Sequence, residues 1–256
     1  MSRIVVFDSG LGSLSIIKAI QRHTKAEIIY FADQKHFPYG KKSKKELEKI
    51  IKNTISNLQK KFKPDLIVVG SNTPSLLLVQ TIFNDNTVIG VFPPLLEAQQ
   101  LTKTNSIAIL ATNTAIQSTA LKTFIKKNLM KNVKILKIDS SELVDLVESG
   151  KFIHNKNFCI KKIISVLRQN FIRNDVDVVT LSSTHLPFLL SLLQKIFPQV
   201  KFLDPADKIA NEIIHHKSFF PSTKNTLAIF SSGDIETFQT NLHHIGIKKK
   251  VQHINF

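Results

Sequence analysis

The sequence is poor in cysteine. Its single cysteine, Cys159, has no partner for an internal disulfide, and one cysteine is too few for a cysteine-based zinc site. Such a chain depends on a hydrophobic core and is typical of a reducing compartment. Long apolar runs are also lacking, because none approaches the roughly 20 residues of a membrane span. The first residues lack the long apolar segment and the cleavage site that a signal peptide requires. We therefore expect a cytoplasmic protein without a membrane partner.

Arginine is scarce as well, although the chain is strongly basic. It has 35 Lys and Arg residues against 19 Asp and Glu, a net charge of +16, yet only four of the basic residues are arginine. A basic chain can bind nucleic acid through counterion release. Base and phosphate recognition favour the planar guanidinium, however, and the lysines here are spread in small groups. We interpret the charge as solvated lysine and expect no specific nucleic-acid partner.

A globular α/β fold is indicated by the rest of the composition and by its pattern. The 256 residues, 43% hydrophobic, favour one or two domains. Short apolar runs alternate with amphipathic segments, which predicts βαβ units and a mainly parallel sheet buried on both faces. The predicted strands are Ile4–Phe7, Ile28–Phe31, Leu66–Val69, Val88–Val91, Ile107–Leu110, Val133–Ile138, Val178–Leu181 and Lys201–Leu203. The predicted helices lie near 13–23, 43–62, 74–83, 116–129, 141–148, 158–172, 187–197 and 206–216.

Two internal echoes suggest that this pattern occurs twice. Residues 65–74 and 177–186 both read as a strand, a polar turn and a helix, with a serine six positions after an aspartate. Residues 4–9 and 107–112 form the second echo. Two similar halves, with a crossover at Pro93-Pro94, are the simplest interpretation, because the first proline lacks an N–H and both disfavour helix before them. Chance similarity between strand-turn-helix units is the alternative.

Polar clusters follow four of the predicted strands. Ligands of open α/β sheets bind beyond the carboxyl ends of the strands, where helix N-termini suit a carboxylate or phosphate. Simple helix capping is the alternative for any one cluster. Four clusters at corresponding places favour a binding site. The clusters are Asp8-Ser9-Gly10, Ser71-Asn72-Thr73, Thr112-Asn113-Thr114 and Ser183-Thr184-His185.

These clusters belong to an ordered set of motifs. Phe7–Gly12 matches the F-D-S-G-x-G part of the motif V-F-D-S-G-x-G-G, and Ser13 stands where the motif has its last glycine. Asp33 to Gly40 matches the motif D-x-x-x-x-P-Y-G. By this set the chain resembles the cofactor-independent glutamate racemases of the aspartate/glutamate racemase family, over essentially its whole length. The other matches are Val88–Val91, Ala111-Thr112, Val144–Glu148 with Gly150, Thr184-His185 with Pro187, Asp204 and Ser232–Asp234.

The resemblance implies both architecture and activity. It implies two similar flavodoxin-like α/β domains with mainly parallel sheets, pseudo-twofold related, with the ligand cleft between them. We place their boundaries at 1–94 plus 211–256 and at 95–210. The family reaction interconverts L- and D-glutamate for cell-wall precursor supply, with no cofactor and no metal. The expected partner is a small amino dicarboxylate, glutamate or aspartate; a homodimer is left open.

The family's two thiols, one per domain, remove and return the α-proton, and both are serine here. Ser71 and Ser183 stand at these positions. A thiol with a pKa near 8.5 can be tuned to a thiolate, whereas an alkyl hydroxyl ionises several units higher. Phe92-Pro93-Pro94 and Ala115 also depart from the family pattern. We therefore expect racemisation to be lost or strongly impaired.

The site residues carried over from the resemblance are of two kinds. The catalytic candidates are Ser71, Ser183, Asp8, His185 and Glu148. The substrate-binding candidates are Asp8, Ser9, Pro38, Tyr39, Gly40, Ser71, Asn72, Thr73, Thr112, Thr114, Thr184 and His185. Plainer alternatives remain: Asp8 as a helix cap, Glu148 as a solvated residue, and His185 as a turn histidine. The pairs His215-His216 and His243-His244 are interpreted as surface histidines, because adjacent helical side chains diverge.

Three functions fit these residues. The first is slow proton transfer in which Asp8 and His185 take larger roles. The second is a non-catalytic amino-acid binder or regulatory pseudoenzyme. The third is a serine-nucleophile enzyme with His185 as base for Ser183. Against it, neither Ser71 nor Ser183 lies in the nucleophile elbow G-x-S-x-G.

Overall fold

The computed structural model describes residues 2–129 and 132–256. Its strands are β1 (Arg3–Asp8), β2 (Glu27–Ala32), β3 (Leu66–Val69), β4 (Val88–Gly90), β5 (Ser106–Ala111), β6 (Lys134–Asp139), β7 (Val178–Leu181), β8 (Lys201–Leu203), β9 (Thr226–Ser231) and β10 (Val251–His253). Its helices are α1 (Leu14–His23), α2 (Lys44–Phe62), α3 (Asn72–Leu77), α4 (Leu95–Leu101), α5 (Asn113–Gln117), α6 (Thr119–Asn128), α7 (Ser141–Glu148), α8 (Lys151–His154), α9 (Lys156–Asn174), α10 (Leu190–Ile196), α11 (Ala206–Ile214) and α12 (Ile235–His244). Short 3-10 turns lie at Gln34–His36, Tyr39–Lys41 and Leu186–Leu189.

The chain forms two compact units. The first unit runs to Val91 and includes Ala206–Phe256, and the second unit is Phe92–Pro205. The domain boundaries expected from the sequence, at 94/95 and 210/211, stay a prediction. Among the described residues, no helix has the length and apolarity needed to cross a membrane.

The first unit is built on a parallel sheet with the strand order β10-β9-β2-β1-β3-β4. Its central strands are nearly continuous runs of Val, Ile and Phe, which are buried throughout β3 and after the first residue of β1 and β2. A strand buried on both faces needs such a run, because neither face can carry a solvated residue. The sheet places the ends of β1 and β3 side by side.

The second unit repeats the central part of this arrangement. Its parallel sheet has the order β6-β5-β7-β8, which corresponds to β2-β1-β3-β4 of the first unit. Helix α9 covers it with Cys159, Ile163, Leu167 and Phe171, spaced every four residues along one face. Burial raises the pKa of the Cys159 thiol, which behaves here as a small core residue.

Backbone hydrogen bonds fix the correspondence residue by residue. Gly70 N donates to Phe7 O at 2.8 Å in the first unit, and Ser182 N donates to Leu110 O at 2.8 Å in the second. Ser71 and Ser183, the next residues in each case, therefore occupy equivalent positions. Both sequence echoes fall on equivalent strands, and the predicted mainly parallel α/β fold is confirmed.

Several predicted helices have different bounds in the structure. The helix expected over 74–83 ends at Leu77, where the chain enters a turn in which Thr81 N and Ile82 N donate to Leu78 O at 2.9 and 3.1 Å. The helix expected over 116–129 is interrupted at Ser118, whose side chain caps α6 by accepting from Leu121 N at 3.0 Å. The segment expected as a helix over 187–197 begins with a 3-10 turn before α10.

Five elements were not predicted at all: α4, α8, β9, α12 and β10. Strand β9 is mostly half-buried, and it pairs in parallel with β2, a strand about 200 residues earlier. Its place depends on this distant pairing rather than on a buried apolar run, so local patterning gave little signal.

Candidate functional site

Each sheet has a topological switch point between its first and third strands. In flavodoxin-like sheets, ligands bind at the carboxyl ends of the strands where the order reverses. In the first unit β1 ends at Asp8 and β3 leads to Ser71. In the second unit β5 leads to Thr112 and β7 to Ser183. Most of the predicted site residues therefore flank one of the two switch points.

Asp8 is the buried end of β1. Its side chain is only 1% exposed, and its Oδ1 accepts a hydrogen bond from Ser9 N at 2.7 Å. The residue at the N-cap of α1 is Ser13, so the alternative of Asp8 as the cap of that helix is wrong. A buried carboxylate at the switch point can orient a cation or accept a proton.

Asp33, at the end of β2, anchors the predicted contact residue Tyr39. Its carboxylate accepts from Tyr39 Oη at 2.8 Å, from His36 Nδ1 at 2.8 Å and from Ser232 Oγ at 3.2 Å. Tyr39 N in turn donates to Ser9 Oγ at 3.5 Å, which ties the loop of Pro38 and Gly40 to the end of β1. Burial, and then the nearby Asp33 carboxylate, raise the pKa of Tyr39 well above its usual value, so its hydroxyl stays a neutral donor.

Asp33 was not among the predicted site residues, although it begins the D-x-x-x-x-P-Y-G motif. The motif placed it in order along the chain but said nothing of its contacts. His36 and Ser232 were missed as well: His36 lies inside the motif, three residues after Asp33, and Ser232 contacts Asp33 from a distant segment.

Ser71 begins the turn into α3. It is half-buried with extended backbone, and its side chain makes no capping hydrogen bond. Ser75 holds this turn: its Oγ donates to Ser71 O at 2.7 Å and accepts from Val91 N at 2.9 Å. The turn is thereby joined to the end of β4, next to Thr73, which is also buried.

Asn72 has unused hydrogen-bonding capacity in this turn. Its Nδ2 donates to Val91 O at 3.1 Å, while its buried Oδ1 accepts no hydrogen bond from the residues that the structure describes. A buried acceptor without a donor is destabilising by roughly 1–3 kcal/mol. A bound group with N–H donors would remove that penalty.

The second unit places an acid/base pair after β7. Ser183, Thr184 and His185 are buried, and His185 Nε2 is hydrogen-bonded to Glu148 Oε1 at the end of α7. The two side chains are only 8% and 15% exposed. Glu148 is therefore not a solvated residue, and that plainer alternative is wrong. A carboxylate beside an imidazole fixes the orientation of the ring, as general acid/base chemistry requires.

Thr112 and Thr114 flank the other side of this switch point. Thr112 precedes α5, where its side chain makes no capping hydrogen bond, and Thr114 lies in the first turn of that helix. Within the described residues, no group of three or more His, Cys, Asp or Glu side chains is arranged to hold a metal ion.

Comparisons with known proteins agree with this arrangement. No family model matches the chain. A glutamate racemase of Buchnera aphidicola subsp. Schizaphis graminum is 34% identical over 220 residues, which cover 82% of this chain and 83% of that protein. The glutamate racemase of Thermoanaerobacter pseudethanolicus is 28% identical over 242 residues, 92% of this chain and 89% of its own length.

Solved structures share the fold. A glutamate racemase isoform of Bacillus anthracis superposes with a TM-score of 0.85 at 22% identity, covering 100% of this chain and 98% of that one. The Escherichia coli glutamate racemase, solved in complex with L-glutamate and the activator UDP-MurNAc-ala, gives 0.82 at 24% identity, covering 99% and 98%.

Proposed function

Because the chain belongs to the glutamate racemase family, we propose that it binds glutamate or aspartate but does not racemise them by the family's two-thiol route. The observation that carries this proposal is the equivalence of Ser71 and Ser183. Both directly follow the third strand of their sheets, in the same hydrogen-bonded register. They are the positions at which the resemblance implies the two thiols.

Amino-acid binding is supported by the polar groups at the two switch points. In the first unit Asn72 Oδ1 is a buried acceptor that has no donor among the residues the structure describes, and Asp8 is a buried carboxylate. Either group suits the ammonium of an amino acid. The turns after β3 and β7 present backbone N–H groups, which suit carboxylates. Each unit therefore has groups at its own switch point that suit an amino acid.

Loss of turnover is supported by proton chemistry. Abstraction from an amino-acid α-carbon is efficient only when the base has a pKa near the working pH. A serine hydroxyl is too weak an acid to be present as alkoxide there, and a helix N-terminus shifts a pKa by too little to change this. We therefore assign the chain as a binder with regulatory rather than catalytic output.

Slow residual turnover is the second candidate function. It is favoured by the His185–Glu148 pair, an oriented imidazole in the second unit. In that case His185 and Asp8 would move the protons, and the product would be D-glutamate for cell-wall precursors. A serine-nucleophile reaction would use the same imidazole as base for Ser183.

Binding is tested by the thermal midpoint of unfolding in the presence of millimolar L-glutamate, D-glutamate or L-aspartate. We expect a rise of a few degrees, since a ligand at 100 times its Kd stabilises by about 2.7 kcal/mol. Asn72→Leu should reduce this rise, because it removes the acceptor proposed for the ammonium. Asn211→Leu, at an exposed position on α11, is the matched control. An unchanged midpoint with all three amino acids would remove the proposal.

Turnover is tested separately by chirality and by deuterium incorporation at Cα in heavy water. We expect neither inversion nor exchange above the rate without protein. Inversion at a rate typical of thiol-containing relatives, persisting in Ser71→Ala, would show that the assignment of the proton carriers is wrong. Exchange without inversion would instead identify one working base.

A further inference from the structure

The first unit has a second cavity, separate from the residues assigned to amino-acid binding. It has a volume of about 630 Å³ and lies between one face of α2 and the ends of β2 and β9. Its buried lining residues are Phe31, Asp33, Ile50 and Thr54. None of the predicted catalytic or substrate-binding residues lines it. Its size is that of a small-molecule site.

The cavity has a cationic excess. Lys35, Lys49 and Lys60 line it, and none of the three forms an ion pair with another residue in the described ranges 2–129 and 132–256. Its two carboxylates are already engaged. Glu46 Oε1 is 3.1 Å from Lys42 Nζ, and Asp33 is buried under three hydrogen-bond donors. The positive charge is thus available to a ligand.

Uncharged donors lie on the same helix face as two of these lysines. Asn53, Ser56 and Asn57 line the cavity between Lys49 and Lys60, and the spacing of three and four residues keeps them on one side of α2. Ammonium groups combined with amide and hydroxyl donors suit an anion with several oxygens. Lysine binds phosphate as a point charge, without the bidentate geometry of arginine.

We propose that this cavity binds a phosphorylated small molecule, with its di- or triphosphate group held by Lys35, Lys49 and Lys60. The apolar wall of Phe31 and Ile50 leaves room for an attached organic group. A single phosphate would engage fewer of the lysines and bind more weakly.

The cavity also adjoins the anchor of Tyr39. Asp33, His36 and Ser232 all line it, and all three belong to the hydrogen-bonded group that holds the Tyr39 hydroxyl. A ligand that draws His36 or Ser232 toward its phosphate oxygens would change that anchor. It would thereby alter amino-acid affinity by a coupling that is reciprocal. This coupling rests on the proposed function, whereas the phosphate site itself does not.

The test is calorimetric titration of the full chain with inorganic pyrophosphate and with ADP, without amino acid. Lys49→Gln/Lys60→Gln removes two cavity lysines. Lys45→Gln/Lys61→Gln is the matched control, because it removes the same charge from exposed positions of the same helix outside the cavity. We expect saturable binding near one per chain, about tenfold weaker in the first variant and within twofold of wild type in the control. Tighter binding of ADP than of pyrophosphate would identify a nucleotide; equal binding would identify the diphosphate alone.

Two results would overturn the phosphate site. One is the absence of saturable binding of either compound. The other is equal weakening in both variants, which would mean diffuse attraction to a chain of net charge +16. Repeating the titration at saturating glutamate isolates the coupling. A pyrophosphate Kd changed about fivefold supports it, and an unchanged Kd removes it. If glutamate alone produces no thermal shift, the failure belongs to the proposed amino-acid site, because pyrophosphate binding is measured without it.

Discussion

The two units supply different chemistry from equivalent backbone positions. Asp33 N donates to Asp8 O in the first unit, as Ser140 N donates to Ala111 O in the second. Asp8 therefore corresponds to Ala111, and Asp33 to Ser140. The first unit has carboxylates at the ends of its two adjacent strands, where the second has a methyl group and a hydroxyl.

The second unit obtains its acid/base groups from other elements. His185 follows β7, and Glu148 ends α7. The repeated scaffold thus places Ser71 and Ser183 symmetrically while the groups around them differ. The groups at the two switch points therefore differ: a buried carboxylate in the first unit and an oriented imidazole in the second.

The largest expected effect comes from restoring thiols to both symmetric positions. Ser71→Cys/Ser183→Cys should raise deuterium incorporation at Cα of glutamate by about 100-fold or more over the wild-type protein, since positioned bases contribute 10²–10⁴-fold. Either single change should give one-sided exchange without inversion. The double variant should exceed the sum of the singles, because groups that act as a unit are not additive.

The comparison between the units is sharpened by removing the different helpers from this double variant. Asp8→Asn should reduce the function of a thiol at position 71, and His185→Gln that of a thiol at position 183. A folded double variant that binds glutamate but incorporates no deuterium would show that Ser71 and Ser183 are not the positions that act on the α-carbon.

Most of the fold could be predicted from the two strand-turn-helix echoes and their apolar runs. They predicted the central strands of both sheets and the symmetric serines, because buried parallel strands need uninterrupted apolar runs. They gave no signal for β9, which pairs with the distant β2, or for β10, which pairs with β9.

The site was only partly predictable for a related reason. Motif order identified Asp8, His185 and Glu148 as candidates, but not that the last two are hydrogen-bonded. Asp33 contacts His36 and Tyr39 within its own loop, whereas its contact with Ser232 joins segments about 200 residues apart. A contact of the second kind follows from the packing of the sheet and has no local spacing in the sequence.

A smaller effect is expected at the residue before each symmetric serine. A Cβ at Gly70 would lie 2.3 Å from Ser13 Cβ and 3.1 Å from Phe7 O, whereas its counterpart Ser182 already carries a side chain, 3.0 Å from Thr180 Oγ1. Gly70→Ala should therefore lower the free energy of unfolding by about 1–3 kcal/mol, the range for overpacking a core. Urea denaturation measures the change.

Ser13 provides the control for this difference. Ser13→Gly removes the atoms that the new methyl group meets first, so Ser13→Gly/Gly70→Ala should recover part of the loss. Ser182→Ala should remove only one hydrogen bond, about 0.5–1.5 kcal/mol. If Gly70→Ala lowers the free energy of unfolding equally in the wild-type and Ser13→Gly backgrounds, the clash with Phe7 O alone accounts for the loss.

The smallest expected effect is a difference between Asp65 and Asp177, the aspartates that begin the echoing segments 65–74 and 177–186. Asp177 accepts hydrogen bonds from Thr102 Oγ1, Lys103 N and Thr104 N, while Asp65 accepts one from Arg3 N. Burial raises the pKa of Asp177, but the three donors outweigh it and leave the pKa lowered. Asp177→Asn should lower the free energy of unfolding by about 1 kcal/mol at pH 7, since solvent screens a half-exposed group. Asp65→Asn should have less effect.

The pH dependence of Asp177→Asn gives the sign of this contribution. A carboxylate whose pKa is lower in the folded state stabilises fully above its unfolded pKa of about 3.9, and this stabilisation is lost as the pH falls through the folded value. The difference in unfolding free energy between wild type and Asp177→Asn should therefore be constant from pH 7 to about pH 5 and shrink below about pH 4. A difference that persists unchanged at pH 3 would mean that the carboxamide fails through geometry, not charge. The echoing aspartates would then differ in the shape of their loops rather than in the ionised hydrogen bonds they accept.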